Sequence, residues 1–195
     1  MKVLELGAGT GVHTRVLLET GAKVTCVDIS GVSLKVLEQN FQGKIHTIEC
    51  SMTAIPLEDS NFDFILCAGS LSYVKLDDLL PEIVRLLKIG GSLIFVDSMG
   101  HNPVYRFNRF LRYLRGQRSK STLRNMPKIK TLDKISGHFK IKDEFFFGSY
   151  LWVLLPLSIL LPRKILQSIN QNIERIFPSK KNAFKFVLYC QSLTK

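Results

Sequence analysis

The sequence predicts an α/β domain built on a doubly wound, mostly parallel sheet of seven strands. Two observations carry this prediction: short β-rich apolar runs alternate with helical patterns, and a glycine-rich turn follows the first run. Strands and helices that alternate at this length are joined by right-handed crossovers, which make neighbouring strands parallel. With 195 residues, the chain is expected to form a single domain, 1–195, around one core.

The strands are predicted from apolar runs that are bounded by turn residues. They cover 3–6, 23–28, 45–49, 62–68, 92–97, 139–147 and 183–191. The helices are predicted where apolar residues recur at helical spacing. They cover 13–20, 30–43, 77–88, 104–118, 131–137 and 163–177. Ser30 is expected to cap the second helix, and a Gly90-Gly91 turn is expected to precede the fifth strand.

The two halves of the chain differ in charge. Residues 1–97 contain 8 Lys/Arg and 12 Asp/Glu, a net charge of −4, whereas residues 98–195 contain 19 and 4, a net charge of +15. Such an asymmetry predicts that the second half meets an anionic membrane surface, a phosphorylated substrate or nucleic acid. Solubility alone is the alternative explanation.

Two segments of the basic half are candidates for contact with a lipid-like molecule. Four apolar side chains share one face of helix 104–118: Phe107, Phe110, Leu111 and Leu114. Arginines surround this face, and the pattern predicts a helix that lies against something. The run 145–162 is uncharged but is interrupted by a glycine and two prolines. A membrane span, an interfacial or substrate-covering insertion, and an ordinary buried strand and helix all stay open.

The spacing of the cysteines and histidines indicates the cellular compartment and whether a metal site is expected. The four cysteines are far apart and form no Cys-x-x-Cys pair, and no basic-then-apolar leader follows Met1. We therefore expect a reduced, cytoplasmic protein, with a peripheral position at the inner membrane face as an extension of that prediction. His13, His46 and His138 show no metal-ligand spacing, so no metal site is expected.

The glycine turn indicates a ligand that contains a ribose. Glycines at Gly7, Gly9 and Gly11 allow a sharp turn and a close approach of the backbone to a ligand. The dinucleotide fingerprint requires a third glycine where this chain has Val12. Asp28, 21 residues after Gly7 and at the end of the second strand, stands where a carboxylate accepts both ribose hydroxyls of an adenosine.

The motif Val-Leu-Glu-Leu-Gly-Ala-Gly-Thr-Gly at 3–11 resembles the first motif of class I S-adenosylmethionine-dependent methyltransferases, and Asp28 matches the second. The resemblance continues through 50–56, 61–65 and 87–91, so it covers about the first 100 residues in order. Within that class, the sequence is similar to the type 11 methyltransferases. The resemblance implies their Rossmann-like fold and S-adenosylmethionine as the cofactor, with 1–97 as the cofactor-binding half.

The resemblance also implies a set of cofactor-binding residues. These are Glu5, Gly7, Ala8, Gly9, Gly11, Asp28, Ile29, Ser51, Met52, Thr53 and Cys67. Glu5 matches the acidic residue that orients the cofactor, whereas Cys67 also fits a buried strand position. The family often has Asp in place of Ser51, where it pairs with the adenine amino group. Family members usually have one or two helices before the first strand, and this chain has two residues there, so the predicted fold lacks them.

The acceptor is expected beyond the fourth and fifth strands, because ligands of open α/β sheets bind at the carboxyl ends of the strands. The facing segments are 68–74 and 98–105. A general base is needed only if the acceptor must lose a proton. His101 is the preferred candidate and Asp97 an alternative, while Tyr73 is expected mainly to shape the pocket.

The predicted function is methyl transfer to a small-molecule or lipid-linked acceptor, at an O, N or C atom. A non-catalytic module that binds a membrane or a partner on the same fold is the alternative. A nicotinamide-dependent oxidoreductase is disfavoured by Val12 and by the absence of a Tyr-x-x-x-Lys pair. Nucleic-acid methylation is disfavoured because the fourth strand ends in Cys-Ala-Gly-Ser at 67–70 rather than in an Asn-Pro-Pro-Tyr-like loop.

Overall fold

The computed structural model describes residues 1–177 and 179–193. Its strands are β1 (Lys2–Leu6), β2 (Lys23–Asp28), β3 (Ile45–Glu49), β4 (Phe62–Ala68), β5 (Leu87–Ser98), β6 (Phe139–Phe147) and β7 (Lys185–Ser192). They form one sheet in the order β3-β2-β1-β4-β5-β7-β6. The first five strands pair in parallel, and β7 pairs antiparallel with both β5 and β6. The predicted doubly wound, mostly parallel seven-stranded fold is confirmed.

Eight helices are described in residues 1–177 and 179–193. They are α1 (Thr14–Glu19), α2 (Gly31–Phe41), α3 (Leu76–Leu86), α4 (Pro103–Leu114), α5 (Lys120–Arg124), α6 (Ile129–Ser136), α7 (Leu151–Leu154) and α8 (Arg163–Ile176). Two 3-10 helices cover Leu71–Tyr73 and Leu155–Ile159. None of the described helices is long and apolar enough to cross a bilayer.

The sheet is covered on both faces, which explains why its central strands are mostly apolar. In β1, Leu4 and Leu6 pack into one core cluster while Val3 packs into the other, and all three are fully buried. Alternate side chains of a strand point to opposite faces, so these two clusters lie on the two sides of the sheet. Both halves of the chain contribute strands to this single sheet.

Several element ends differ from the prediction. The third helix ends at Leu86 rather than at 88, because Leu87 already pairs with Phe62 as the first residue of β5. Gly90 has a φ of +74° and lies within β5, where the ladder to β4 is irregular, instead of preceding the strand. Helix α4 ends at Leu114 rather than at 118, and Gly116 follows with a φ of +69°. The cap is confirmed, since Ser30 accepts from the backbone N–H of Ser33.

Helix α4 presents most of its apolar face to the exterior of the described fold. Its apolar face is not covered in the described part of the chain: Phe107, Phe110 and Leu114 are 62%, 47% and 63% exposed. Arg109 is buried instead, at 7% exposure. The amphipathic pattern identified a helix but not the face that packs inward, because a tyrosine and a serine provide polar partners for Arg109 inside the fold.

The uncharged run 145–162 is divided among short elements. It begins with the end of β6 and continues through α7 and the 3-10 helix Leu155–Ile159. Ile159 and Leu160 are 88% and 78% exposed, so this part of the run does not form the buried helix that was one of the three alternatives. A continuous membrane-spanning helix, another of them, is also absent from the described residues.

Candidate active site

The glycine turn lies at the point where the strand order reverses. β1 pairs with β2 on one side and with β4 on the other, which opens a crevice at the carboxyl ends of these strands. The backbone N–H groups of Gly7 and Ala8 both donate to the carbonyl of Val27, at 2.8 and 3.1 Å. Gly7 has a φ of +66°, and a Cβ there would stand 2.7 Å from the Cβ of Ser70. Only glycine allows the loop to pass this close to the residues after β4.

Asp28 connects the glycine turn to the helix that follows β2. Its Oδ2 accepts from the backbone N–H of Gly9 at 2.8 Å, and its Oδ1 accepts from that of Ser30 at 2.9 Å. Each carboxylate oxygen can accept a further hydrogen bond. The carboxylate therefore fixes the loop and can still accept a hydroxyl from a ligand.

A cleft of about 570 Å³ opens above this turn, and we call it the glycine-loop cleft. Its walls come from the turn, the ends of β2 and β3, and the segment after β4. They are formed by Gly7, Gly9, Asp28, Ile29, Ser30, Ser33, Cys50, Ser51, Met52, Gly69, Ser70, Tyr73 and Val74. Six of the predicted cofactor-binding residues line it: Gly7, Gly9, Asp28, Ile29, Ser51 and Met52. Tyr73 lines it as well, with its side chain half-exposed.

The other predicted cofactor-binding residues lie outside these walls. Ala8 packs in the core, and a Cβ on Gly11 would meet Leu37 at 2.4 Å, so this glycine serves the contact with α2. Thr53 hydrogen-bonds to Ser51, with their hydroxyl oxygens 2.8 Å apart. Cys67 is fully buried, and burial raises the pKa of its thiol to about 12, which suits a strand residue and not a nucleophile.

Glu5 lies beneath the glycine turn. Its side chain is 2% exposed, and its Oε2 accepts from the Thr14 hydroxyl at 2.6 Å. Burial raises the pKa of this carboxyl, and the hydrogen bonds from Thr14 and Cys26 oppose the rise. In this arrangement Glu5 anchors the first residue of α1 to β1.

A second cavity, of about 290 Å³, adjoins the cleft at Gly69. We call it the arginine pocket. It lies at the carboxyl ends of β4 and β5, against α4 and the chain that follows. It is lined by Gly69, Asp97, Ser98, Tyr105, Asn108, Arg109, Arg112, Arg118 and Phe184. This position agrees with the expectation that the acceptor faces the segments after these two strands.

The three candidate bases occupy different places. Tyr73 lines the glycine-loop cleft and Asp97 lines the arginine pocket, whereas His101 is not among the lining residues of either cavity. Asp97 is buried, accepts from the backbone N–H groups of Leu71 and Ser98, and has its pKa raised by burial. His101 is exposed, and its Nε2 accepts from the backbone N–H of Ile129 at 3.4 Å. Its pKa is lowered, first by partial burial and then by nearby cations.

Sequence reasoning missed the arginine pocket. The sequence pattern placed all the arginines of α4 around an apolar face, whereas Arg109 packs inward. The Tyr105 hydroxyl accepts from the Nε of Arg109 at 2.7 Å, and these residues are four apart on one helix. The i, i+4 spacing of a tyrosine and an arginine was the signal that could have identified this face.

Comparison with known proteins indicates the family that the chain resembles. Residues 4–95 match the family model of a methyltransferase domain. A methyltransferase-like protein of Schizosaccharomyces pombe, itself uncharacterised, is 31% identical over 157 residues, which are 78% of this chain and 51% of that protein. A demethylmenaquinone methyltransferase of Tropheryma whipplei is 36% identical over 121 residues, 58% of this chain and 49% of that protein. The chain thus spans about half the length of these curated relatives.

A solved structure shares the fold across almost the whole chain. It is geranyl diphosphate C-methyltransferase from Streptomyces coelicolor A3(2), in complex with Mg²⁺, geranyl diphosphate and S-adenosyl-L-homocysteine. The TM-score is 0.68 at 14% sequence identity, covering 98% of this chain and 73% of that chain. With the glycine turn and Asp28 at the switch point of the sheet, these matches support a class I S-adenosylmethionine-dependent methyltransferase: residues 4–95 match the methyltransferase domain, and the chain shares the fold of that class.

Proposed function

We propose that the chain binds S-adenosylmethionine in the glycine-loop cleft and transfers its methyl group to a small-molecule acceptor. The observation that carries this proposal is the position of Asp28, whose carboxylate closes the glycine turn and also lines the cleft. A Cβ on Gly9 would meet no protein atom within 4 Å, so a ligand can approach the backbone there. The cleft therefore fits the cofactor that the family uses.

Different residues of the cleft would contact different parts of the cofactor. Asp28 would accept the ribose hydroxyls, Ile29 and Met52 would contact the adenine, and Ser51 would lie beside its amino group. When bound, S-adenosylmethionine would supply the methyl group from its sulfonium. What the protein contributes is alignment, which is the main requirement of methyl transfer.

The acceptor is proposed to be small and, more narrowly, lipid-linked. One relative is named for demethylmenaquinone, and one structural neighbour holds geranyl diphosphate. Tyr73 and Asp97 are better placed than His101 to take a proton from an acceptor, because they line the glycine-loop cleft and the arginine pocket, whereas His101 lines neither of these two. Any of the three has a role only where the methylated atom carries a proton that must leave.

The direct test is calorimetric titration of the chain with S-adenosylhomocysteine. We expect micromolar binding, weakened about tenfold by Asp28→Asn, which loses the charge but keeps one acceptor oxygen. Glu19→Gln is the matched control, since it removes an exposed carboxylate at the end of α1. NADH is titrated in parallel. Binding of NADH without binding of S-adenosylhomocysteine would contradict the proposal and favour the oxidoreductase alternative.

We also propose that α4 contacts an anionic membrane surface. Its exposed Phe107, Phe110 and Leu114 would enter the boundary of the acyl chains. The surrounding basic side chains would meet the lipid headgroups. Leu160 and Ile159 add exposed apolar surface elsewhere in the basic half.

Vesicle flotation tests this contact. The chain should float with vesicles that contain phosphatidylglycerol and stay behind with phosphatidylcholine alone, and Phe107→Ser with Phe110→Ser should abolish flotation. Val84→Ser with Ile89→Ser is the matched control, because these side chains are also exposed, at 47% and 71%, but lie on α3 and β5 in the acidic half. Equal loss in the control, or no flotation of the unmodified chain, would remove the membrane from the proposal.

A further inference from the structure

The arginine pocket contains a buried cation that is not fully satisfied. Arg109 is 7% exposed, and its Nε and Nη2 donate to the Tyr105 hydroxyl at 2.7 Å and to the Ser72 hydroxyl at 3.0 Å. Its Nη1 is also buried and has no hydrogen-bond partner in residues 1–177 and 179–193. Buried polar groups are almost always paired, and an unpaired donor of a charged group is the costliest exception. The orphan donor therefore indicates a ligand that accepts from it.

The charges around Arg109 define that ligand as an anion. Arg112 and Arg118 line the same pocket, and the acidic side chain there is Asp97. No ion pair within 4 Å joins Asp97 to an arginine in the described part of the chain, and both of its oxygens accept from backbone N–H groups. Three guanidinium groups and one carboxylate leave two positive charges for a ligand to balance.

We propose that the arginine pocket binds a phosphate group of the methyl acceptor. A phosphate monoester carries a charge of about −1.5 to −2 at neutral pH, which matches the excess, whereas a carboxylate would neutralise only half of it. The planar fork of arginine also suits phosphate oxygens, and two of the donors of Arg109 are already fixed by Tyr105 and Ser72. This inference rests on the proposed function, because it names the class of its acceptor.

The location of the pocket gives the phosphate a positioning role. Gly69 is common to the arginine pocket and the glycine-loop cleft, so an anchored acceptor would extend past this residue toward the cofactor. A glycine at this boundary has no side chain to separate the two ligands. Anchoring a remote group in this way supplies the alignment that methyl transfer requires.

The test measures binding of glycerol 3-phosphate and of inorganic phosphate by ligand-observed NMR, at constant ionic strength and with S-adenosylhomocysteine present. Acetate serves as the carboxylate probe. We expect phosphate binding to weaken about tenfold in Arg109→Met and in Arg112→Gln, because each removes a charge-assisted hydrogen-bond donor. Arg115→Gln is the matched control, since Arg115 follows α4 and does not line the pocket. Thermal unfolding verifies that each variant is folded. If Arg109→Met does not fold, phosphate binding by Arg112→Gln tests the site by itself.

The outcomes separate the inference from the function on which it rests. Absence of phosphate binding, an equal loss in Arg115→Gln, or acetate binding as tight as phosphate would overturn the phosphate site. None of these results changes the titration with S-adenosylhomocysteine, which tests the methyltransferase proposal independently. A short-chain phosphatidic acid forms the last arm. Tighter binding of this lipid than of glycerol 3-phosphate would support the phosphate site and assign the phosphate to a lipid headgroup. Tighter binding of glycerol 3-phosphate would also support the phosphate site but assign the phosphate to a soluble acceptor.

Discussion

The glycine-loop cleft and the arginine pocket meet at Gly69, but different kinds of residue line them. The glycine-loop cleft is formed mainly by backbone and by small side chains, and Asp28 holds its turn in place. The arginine pocket is distinguished by three long charged side chains that extend from α4 and the chain after it, those of Arg109, Arg112 and Arg118. One cavity thus depends on backbone conformation, and the other depends on how a helix is rotated.

Each region also buries an ionisable group, and the two groups are treated differently. Glu5 beneath the cleft accepts from Thr14, so the protein itself satisfies it. Arg109 beside the pocket keeps one buried donor without a partner in the described residues. The buried carboxyl of Glu5 is thus satisfied within the fold, whereas Arg109 keeps a donor that the proposed phosphate ligand would pair.

The largest expected effect tests the dependence of the cleft on its backbone. Gly9→Ala places a methyl group where only a ligand would meet it, so S-adenosylhomocysteine binding should weaken about 30-fold in calorimetry. Gly21→Ala is the matched control, because Gly21 also has a positive φ, +71°, with no atom within 4 Å of an added Cβ. Similar affinities for both variants would mean that the ligand does not approach the glycine turn.

A smaller effect is expected at Glu5, where burial raises the pKa of the carboxyl above its ordinary value of 4.5. The folded state then binds the proton more tightly than the unfolded state, so stability is greatest at low pH and falls as the pH rises through 4.5 toward the folded pKa. Glu5→Gln should remove this slope. At pH 8 it should exceed the unmodified chain in unfolding free energy by about 1–2 kcal/mol, measured by urea denaturation.

The opposite result at Glu5 would be equally informative. A Glu5→Gln variant that is less stable than the unmodified chain at pH 8 would show that the ionised carboxylate holds Thr14 more strongly than burial disfavours it. Thr14→Val is the companion variant, since it removes the hydroxyl that donates to Glu5 and leaves the carboxyl in place. It should destabilise the chain and raise the pKa of Glu5 further.

The contrast between the cavities also explains how much the sequence could predict. The turn at Gly7 and the carboxylate at Asp28 were readable, because a left-handed φ and a strand end are local properties of the chain. The pairing that places Leu87 in β5 was not, because it depends on Phe62, which lies far away in the sequence. The inward direction of the Arg109 side chain could not be predicted either, because its partner Ser72 lies on another element.

Thiol labelling compares the cleft with the rest of the core. Burial raises the pKa of Cys26, Cys67 and Cys190 to about 12, so these thiols should react slowly. Cys50 is half-buried and lines the cleft, and it should be the first to react with a maleimide at pH 8. S-adenosylhomocysteine at ten times its Kd should slow that reaction about tenfold, followed by mass spectrometry. Unchanged labelling of Cys50 would place the ligand elsewhere.

The smallest expected effect concerns the position at which the chain differs from its family. Ser51 lines the cleft, but its hydroxyl is engaged with Thr53, both with the Thr53 hydroxyl and as the acceptor of its backbone N–H. Ser51→Asp adds a carboxylate that can accept from the adenine amino group, and S-adenosylhomocysteine binding should strengthen about threefold. Thr53→Asp is the control, because Thr53 does not line the cleft. Tighter binding in Ser51→Asp alone would place the adenine beside this loop. Tighter binding in both variants would indicate a general electrostatic effect. Weaker binding in Ser51→Asp would mean that the adenine lies on the other wall of the cleft.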